Sequence, residues 1–345
     1  MPNPESNLLI NLSFLISEPT GLAIYAKNLF PHLKTLNPTL LTAQKFPNNN
    51  CYEIPANLTP EQGTKIYKQL KSNLLFSPIP EAPLFSGCRY IITVHDLIAL
   101  RFPRRFDPLA VYHRYYIPQV LRQAEHIICD SESTANDITN FCKIPSSLIT
   151  RIFPGYDTSF FKFLDLPTSN YFLYMGRHNP HKNVQRVVAA FAALPNNSEY
   201  ELWITGSEDK RYTPLLKAQV QELGLSDRVK FLNYLPAADL PKVINRAIAL
   251  VFPSLWEGFG LPVLEAMACG TPVITSNLSS MPEVGGDAAS LVNPYSVAEI
   301  ASAMHELAID TKARSHLREL GLARSKQFSW EKTGVETAAI LDRYS

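Results

Sequence analysis

The stretch IALVFPSLWEGFGLPVLEAMACGTPVITS, Ile248 to Ser276, reads as strand, glycine-rich loop, helix, glycine stop, strand. An apolar run ends near Pro253, and the loop Glu257-Gly258-Phe259-Gly260 comes after it. Pro262 then stands where a first helical turn favours proline, and Gly270 where a helix end favours glycine. Such a loop brings backbone N–H groups to a helix start, a fixed partial positive charge suited to phosphate. Its glycines let a ligand approach the backbone closely. Glu257 and Glu265, eight residues apart, bracket the loop. Carboxylates only accept hydrogen bonds, so beside a phosphate they suit hydroxyl-rich groups such as a hexose and a ribose. Singly, each has a plainer reading: Glu265 complements the helix dipole, and Glu257 is a solvated loop charge.

Outward from this segment, strand-like and helix-like runs alternate along the chain, which predicts parallel sheets with crossover helices. The second half offers strands at Tyr171–Gly176, Glu201–Gly206 and Arg228–Asn233. Its first helix places Val184, Val187, Val188, Phe191 and Leu194 at helical spacing, and further helices are expected at Thr213–Leu223, Ala238–Ala247 and Pro262–Cys269. The first half offers strands near Leu8–Leu12, Leu74–Phe76, Tyr90–Val94 and His126–Asp130, with helices at Ala23–Leu33, Thr64–Lys71 and Pro108–Gln123. The segment Arg151–Phe161 carries proline and glycine with little periodicity and reads as a linker. The fold class expected is α/β, two doubly wound domains: residues 1–160, residues 161–327, and a closing helix in 328–345. Ligands of such sheets bind at the carboxyl ends of the strands.

The whole chain supports this division. Its 345 residues exceed one typical domain, and 46% hydrophobic with 18% charged residues is ordinary globular composition. A net charge of +1 gives no basic surplus for nucleic acid. Five cysteines without C-x-x-C spacing suggest neither a zinc site nor a disulfide framework, and fit a reducing, cytoplasmic compartment. The early apolar run Leu8–Ile16 is too short to span a bilayer and reads as a buried strand; peripheral membrane contact stays open.

A second strand, loop and helix, YFLYMGRHNPHKNVQRVV, places Arg177 after the strand end and Lys182 before the helix. A diphosphate leaving group needs charge neutralisation, from a divalent metal or from protein cations and helix dipoles. Metal-using nucleotide-sugar enzymes commonly carry D-x-D, which occurs nowhere in this chain. Arg177 and Lys182 are the natural cations, although singly each reads as a solvated loop charge. His178 and His181 lack further ligands at zinc spacing and read as loop residues, with His181 near the nucleotide.

These two segments, with SSMPEVGGDAASLVNP after them, resemble the family 4 glycosyltransferases, retaining enzymes of the two-domain GT-B fold. The resemblance covers nearly the whole chain and is similar to bacterial polysaccharide mannosyl- and glucosyltransferases. It implies that Glu257 holds donor-sugar hydroxyls and Glu265 the ribose, with backbone at Gly258, Phe259, Gly260 and Leu261 on sugar and phosphate. Gly176, Arg177, Lys182 and Asn183 match the family's cationic loop. Gly206, Tyr234 and Leu235 would lie near the base. In the first half, His95 and Asp96 end an apolar strand; the resemblance puts His95 against the donor sugar, while the plain reading is a satisfied strand-end histidine with Asp96 capping the next turn of chain. Many relatives carry two adjacent glycines after the first strand. Here only Gly21 stands there, at an acceptor loop or a simple turn, which weakens a phosphate role. Asp130–Ser133 fits a strand end with Ser131 as helix cap. Phe102–Pro118 mixes Arg104, Arg105 and Arg114 with aromatics, as an acceptor or membrane surface would, or the exposed side of an amphipathic helix. The tail Phe328–Tyr344 would close back on the first domain, with Trp330 in packing.

The activity expected is retaining, metal-independent transfer of a hexose, mannose or glucose, from a GDP-linked donor, with UDP-glucose next in line. The acceptor would be a saccharide or lipid-linked saccharide, and no cofactor is called for. A nucleotide-sugar epimerase of the same fold and a non-catalytic nucleotide-sugar-binding protein are the alternatives. A dehydrogenase reading of Gly258-Phe259-Gly260 lacks the third glycine of the dinucleotide fingerprint.

Overall fold

The computed structural model describes residues 8–15, 21–43, 49, 51–54, 65, 66, 69, 73–103, 108–195, 197–233 and 235–345. Two compact units divide the chain: Met1–Gly155 with Ser329–Ser345, and Tyr156–Phe328. The first contains β1 Leu8–Asn11, β2 Thr39–Thr42, β3 Cys51–Glu53, β4 Leu74–Ser77, β5 Tyr90–Val94, β6 His126–Cys129 and β7 Ile149–Arg151. The second contains β8 Tyr171–Met175, β9 Glu201–Thr205, β10 Val229–Asn233, β11 Leu250–Phe252, β12 Val273–Ser276 and β13 Ser290–Val292.

Both sheets are parallel throughout. The first has the order β3-β2-β1-β4-β5-β6-β7 and the second β10-β9-β8-β11-β12-β13. In each, the chain winds outward from one central strand, then returns and winds the other way. The reversal leaves a crevice at the carboxyl ends of β1 and β4 in one sheet, and of β8 and β11 in the other. The inner strands are buried on both faces, as parallel sheets under helices require. Alternation along the strands divides the first unit's core in two. Leu8, Ile10, Phe76 and Ile91 share one cluster with Tyr25 and Trp330, while Leu9, Leu75, Ile92 and Val94 share the other with Val120 and Ile138.

The closing helix Trp330–Tyr344 belongs to the first unit. A Cβ on Gly334 would collide with the His32 Cβ, so glycine alone permits this seat beside the 3-10 turn Phe30–Leu36. Thr333 Oγ1 donates to the Phe153 carbonyl at 2.7 Å and fixes the return.

Several expectations need revision. The helix expected over Pro108–Gln123 is two, Pro108–Tyr115 and Ile117–Gln123, because Pro118 has no N–H to continue the ladder. Arg151 ends β7 and does not open a linker. The helix near the N-terminus begins at Gly21 and gives way after Leu29 to a 3-10 turn containing Pro31. The expected helix Thr64–Lys71 falls largely outside the described residues, as do Glu18–Thr20, Arg104, Arg105 and Tyr234. No helix among the described residues is long and apolar enough to cross a membrane.

Candidate functional site

In the second unit, the loops after β8 and β11 meet at the crevice. Asn183 joins them. It adopts φ +64°, a conformation asparagine tolerates better than most residues, just before the helix Val184–Ala192. Its buried amide donates to the Pro253 carbonyl at 2.9 Å and to the Pro294 carbonyl at 2.7 Å, and its Oδ1 accepts from Arg186 Nη1 at 2.7 Å. The Leu255 N–H donates to the His181 carbonyl at 2.7 Å. The end of β8 is thereby tied to the loops that come after β11 and β13.

This tie places Lys182 against Glu257. The Lys182 ammonium lies 2.7 Å from Glu257 Oε1 and 2.6 Å from Oε2, with side-chain exposures of 20% and 8%. The solvated-charge reading of both residues is therefore replaced by a shielded ion pair across the crevice. An ammonium has three N–H donors, so one remains beyond the two carboxylate oxygens. Arg177 is exposed, and its guanidinium has no ion-pair partner among the described residues.

The glycine-rich loop is clamped from below by Ser279 and Ser280. Ser279 Oγ donates to the Glu257 carbonyl at 2.7 Å, and the Glu257 N–H lies 3.1 Å from the same oxygen. Ser280 Oγ contacts the carbonyls of Glu257 and Phe259 at 3.1 and 2.7 Å. Gly260 takes φ +117° immediately before the helix Leu261–Ala268, whose start has no side-chain cap. Phe259 is buried against Phe328, with ring centroids 5.8 Å apart. The side chain of Glu265, one turn into the helix, has no hydrogen-bond or ion-pair partner among the described residues. Burial pushes its carboxyl up to about 7.

Gly206 comes after β9 with φ +130°, and a Cβ there would collide with the Gly176 carbonyl oxygen. The two strand ends approach as closely as they do because Gly206 has no Cβ. His178 is buried and shares a 2.8 Å hydrogen bond with Thr213 Oγ1, so it is a packed residue and not a free loop histidine. Leu235 is half-buried in the loop after β10.

In the first unit, His95 is held at the end of β5 by its neighbours on both sides. Nδ1 lies 2.6 Å from Asp130 Oδ2 at the end of β6, and Nε2 lies 2.9 Å from the Pro78 carbonyl after β4. Tyr25 meets the ring edge-on at 4.6 Å between centroids. A carbonyl can only accept, so Nε2 carries a proton. Burial opposes a charged ring, yet the Asp130 carboxylate and the hydrogen bonds outweigh it and raise the His95 pKa above its ordinary value. Both ring nitrogens are thus occupied inside this unit. Asp130, which the sequence marks only as a strand end, is the residue that raises the pKa of this histidine. Asp96 accepts from the Ile98 N–H at 2.9 Å and caps the short helix Ile98–Arg101, the plainer of its two readings. Ser131 caps the helix Glu132–Cys142 by accepting from the Thr134 N–H at 3.1 Å. Gly21 is the first residue of the helix Gly21–Leu29, and a Cβ there would meet nothing within 4 Å.

Comparison with known proteins bears on this geometry directly. Residues 156–323 match the family model of glycosyl transferases group 1, and residues 69–160 that of glycosyltransferase family 4. The chain is 30% identical over 262 residues to O-antigen chain mannosyltransferase B of Escherichia coli, covering 72% of this chain and 69% of that protein. The chain belongs to this glycosyltransferase family. The enzyme is also 32% identical over 203 residues to O-antigen chain mannosyltransferase RfbU of Salmonella typhimurium, covering 59% of the chain and 56% of that relative's length. The crystal structure of Anabaena HepE in complex with UDP-glucose superposes with a TM-score of 0.79 at 16% identity, over 97% of this chain and 99% of that one. The glycosyltransferase therefore has the GT-B fold.

Proposed function

We propose that this glycosyltransferase moves mannose from GDP-mannose to a growing saccharide or lipid-linked acceptor, with retention and without a metal ion. The observation that carries the reading is the shielded Lys182–Glu257 pair at the β8–β11 crevice, beside Glu265 and Arg177, which are unpaired among the described residues. Mannose is favoured because the curated relatives named above are mannosyltransferases.

In this proposal the diphosphate rests at the start of the helix Leu261–Ala268. Arg177 and the third N–H of Lys182 neutralise it. Glu257, oriented by Lys182 and by the serine clamp, accepts hydrogen bonds from sugar hydroxyls, and Glu265 accepts from the ribose. The bond between the anomeric carbon and the β-phosphate oxygen breaks as the acceptor oxygen bonds to the same face. The acceptor's proton passes to the departing β-phosphate oxygen, so no protein carboxylate serves as nucleophile. His95, with both ring nitrogens engaged by Asp130 and the Pro78 carbonyl, acts through its fixed position and not as a hydroxyl ligand.

Thermal-shift titration with GDP, UDP and ADP and their hexose conjugates tests the donor. GDP-mannose should stabilise most. A larger shift with UDP-glucose overturns the choice of base and sugar. Turnover should persist in excess chelator, and strict dependence on a divalent cation removes the account built on Arg177 and Lys182. Conversion of the donor without an acceptor would make the enzyme an epimerase.

A further inference from the structure

The second unit carries a cavity of about 1000 Å³ that the transfer reaction does not use. It lies at the amino-terminal half of β8, β9 and β10, the opposite end of the sheet from Lys182 and Glu257. One wall is the helix Leu240–Arg246, and the other is the segment before β8. Both walls are fixed. Asn245 accepts from the Leu164 N–H at 2.7 Å and donates to the Lys162 carbonyl at 3.0 Å, and the Ser169 N–H donates to the Arg246 carbonyl at 2.7 Å. Tyr171 and Trp203 form the floor, stacked 3.8 Å apart and 5° from parallel. The Tyr171 hydroxyl donates to the Val243 carbonyl at 2.6 Å, and Trp203 Nε1 donates to Glu201 Oε2 at 2.6 Å. The site is therefore formed in the free protein, and a ligand need not order it.

The polar groups around this aromatic floor indicate the ligand. Arg228, Lys242 and Arg246 line the cavity together with Glu199, Glu201 and Asp239. Lys242 and Asp239 are loosely paired at 3.7 Å, while the side chains of Arg228, Arg246 and Glu199 make no hydrogen bond or ion pair among the described residues. A guanidinium only donates and a carboxylate only accepts. An anion would engage the first set and be repelled by the second. A hydroxyl donates and accepts at once and serves both. Three cations balanced by three carboxylates around the half-exposed ring of Trp203, backed by buried Tyr171, therefore fit a neutral, hydroxyl-rich ligand that has an apolar face to lay on that ring, which is a saccharide.

We propose that this cavity is a saccharide-binding site separate from the transfer site. Only the choice of a mannose-based probe rests on the donor reading above. The test is calorimetric titration of the 345-residue protein with α-mannotriose, with maltotriose and inorganic phosphate as further probes, each with and without saturating GDP. At least one trisaccharide should bind whether or not GDP is present. Arg228→Ala and Trp203→Ala should each weaken that binding by about tenfold or more. GDP affinity and donor turnover should stay within about twofold of the parent value, which separates failure here from failure of the donor assignment. Because Trp203 supports Tyr171, Arg228→Ala, which removes no side-chain hydrogen bond or ion pair among the described residues, serves as the second variant. Four results overturn the proposal: no saccharide binding up to about 10 mM, binding unchanged in both variants, binding abolished by Glu257→Ala, or displacement of the saccharide by phosphate.

Discussion

Replacing Lys182 with methionine separates what the Lys182–Glu257 pair does for stability from what it does for transfer. The two charges meet through both carboxylate oxygens at 2.6 and 2.7 Å. At an effective dielectric of ~20, opposite charges this close attract by about 5 kcal/mol. The substitution leaves the Glu257 side chain, 8% exposed, without its counter-charge. Removing one partner of a buried pair costs about 3–5 kcal/mol. Water reaches the ammonium through its exposed fifth, so the lower end, ~3 kcal/mol, applies here. In a unit of this size that lowers Tm by about 6–12 °C. Adding Glu257→Gln removes the stranded charge and should restore about 2 kcal/mol of coupling in a double-mutant cycle. Turnover behaves differently. Each single variant should lose about 10²–10³-fold in donor consumption, and the double variant should stay as slow. Scanning calorimetry and nucleotide release measured on all four proteins decide the matter. A double variant that regains turnover along with stability shows the pair to be scaffolding alone. A Lys182→Met protein with parental Tm and near-parental turnover refutes both halves of the reasoning.

The same geometry fixes three further outcomes. Glu265 is held at about 7 by burial, against an ordinary 4.5. The folded protein therefore binds the extra proton between those values, and its ligand-free stability falls as pH rises across that window. Ribose hydroxyls prefer the ionised form, so nucleotide affinity should rise over the upper part of the same window; Glu265→Gln should flatten both trends in denaturation and binding series at several pH values, and persistence of either counts against the ribose role. Asp130→Asn should move the His95 titration from above its ordinary value to below it in NMR, with a loss of about 3 kcal/mol in stability, and an unmoved His95 titration breaks the assignment of Asp130 as its counter-charge. Ser280→Ala removes the clamp under Glu257 and Phe259 and should cost about 1–2 kcal/mol with about a tenfold fall in turnover; unchanged turnover would make the clamp dispensable.

The inner strands were legible because burial on both faces writes a continuous apolar run, as in YFLYM of β8 and YIITV of β5. The strands β2, β3, β7 and β13 were not. They are three or four residues long, and β3, β7 and β13 lie at sheet edges with half-buried side chains, so they carry neither a run nor an alternation long enough to count. The site divides in the same way. Glu257, Glu265, Arg177 and Lys182 stand beside glycine and proline signals that announce a loop before a helix. The pairing of Lys182 with Glu257 is a relation across 75 residues, which no local pattern encodes. Asp130, Ser279 and Ser280 act through one or two hydrogen bonds to distant backbone or to a histidine, and a lone aspartate or serine in sequence has commoner explanations. The hydrogen bond from the Ile98 N–H to Asp96 was legible, because an aspartate two residues before a helical N–H is a local signal.

Asn183 has a consequence for how such an enzyme changes its substrate. One buried amide binds the loops after β8, β11 and β13, so the groups assigned to phosphate and to the sugar form a single mechanical block. A change that shifts one shifts the others. The end of β9 is held to the block by the Gly176 N–H on the Thr205 carbonyl and by the close approach of Gly206, whereas the loop after β10, around Leu235, makes none of the Asn183 bonds. Residues in the loop after β10 can be exchanged while the bonds of Asn183 stay in place. For the engineer, the same division separates the residues to randomise from those to leave alone.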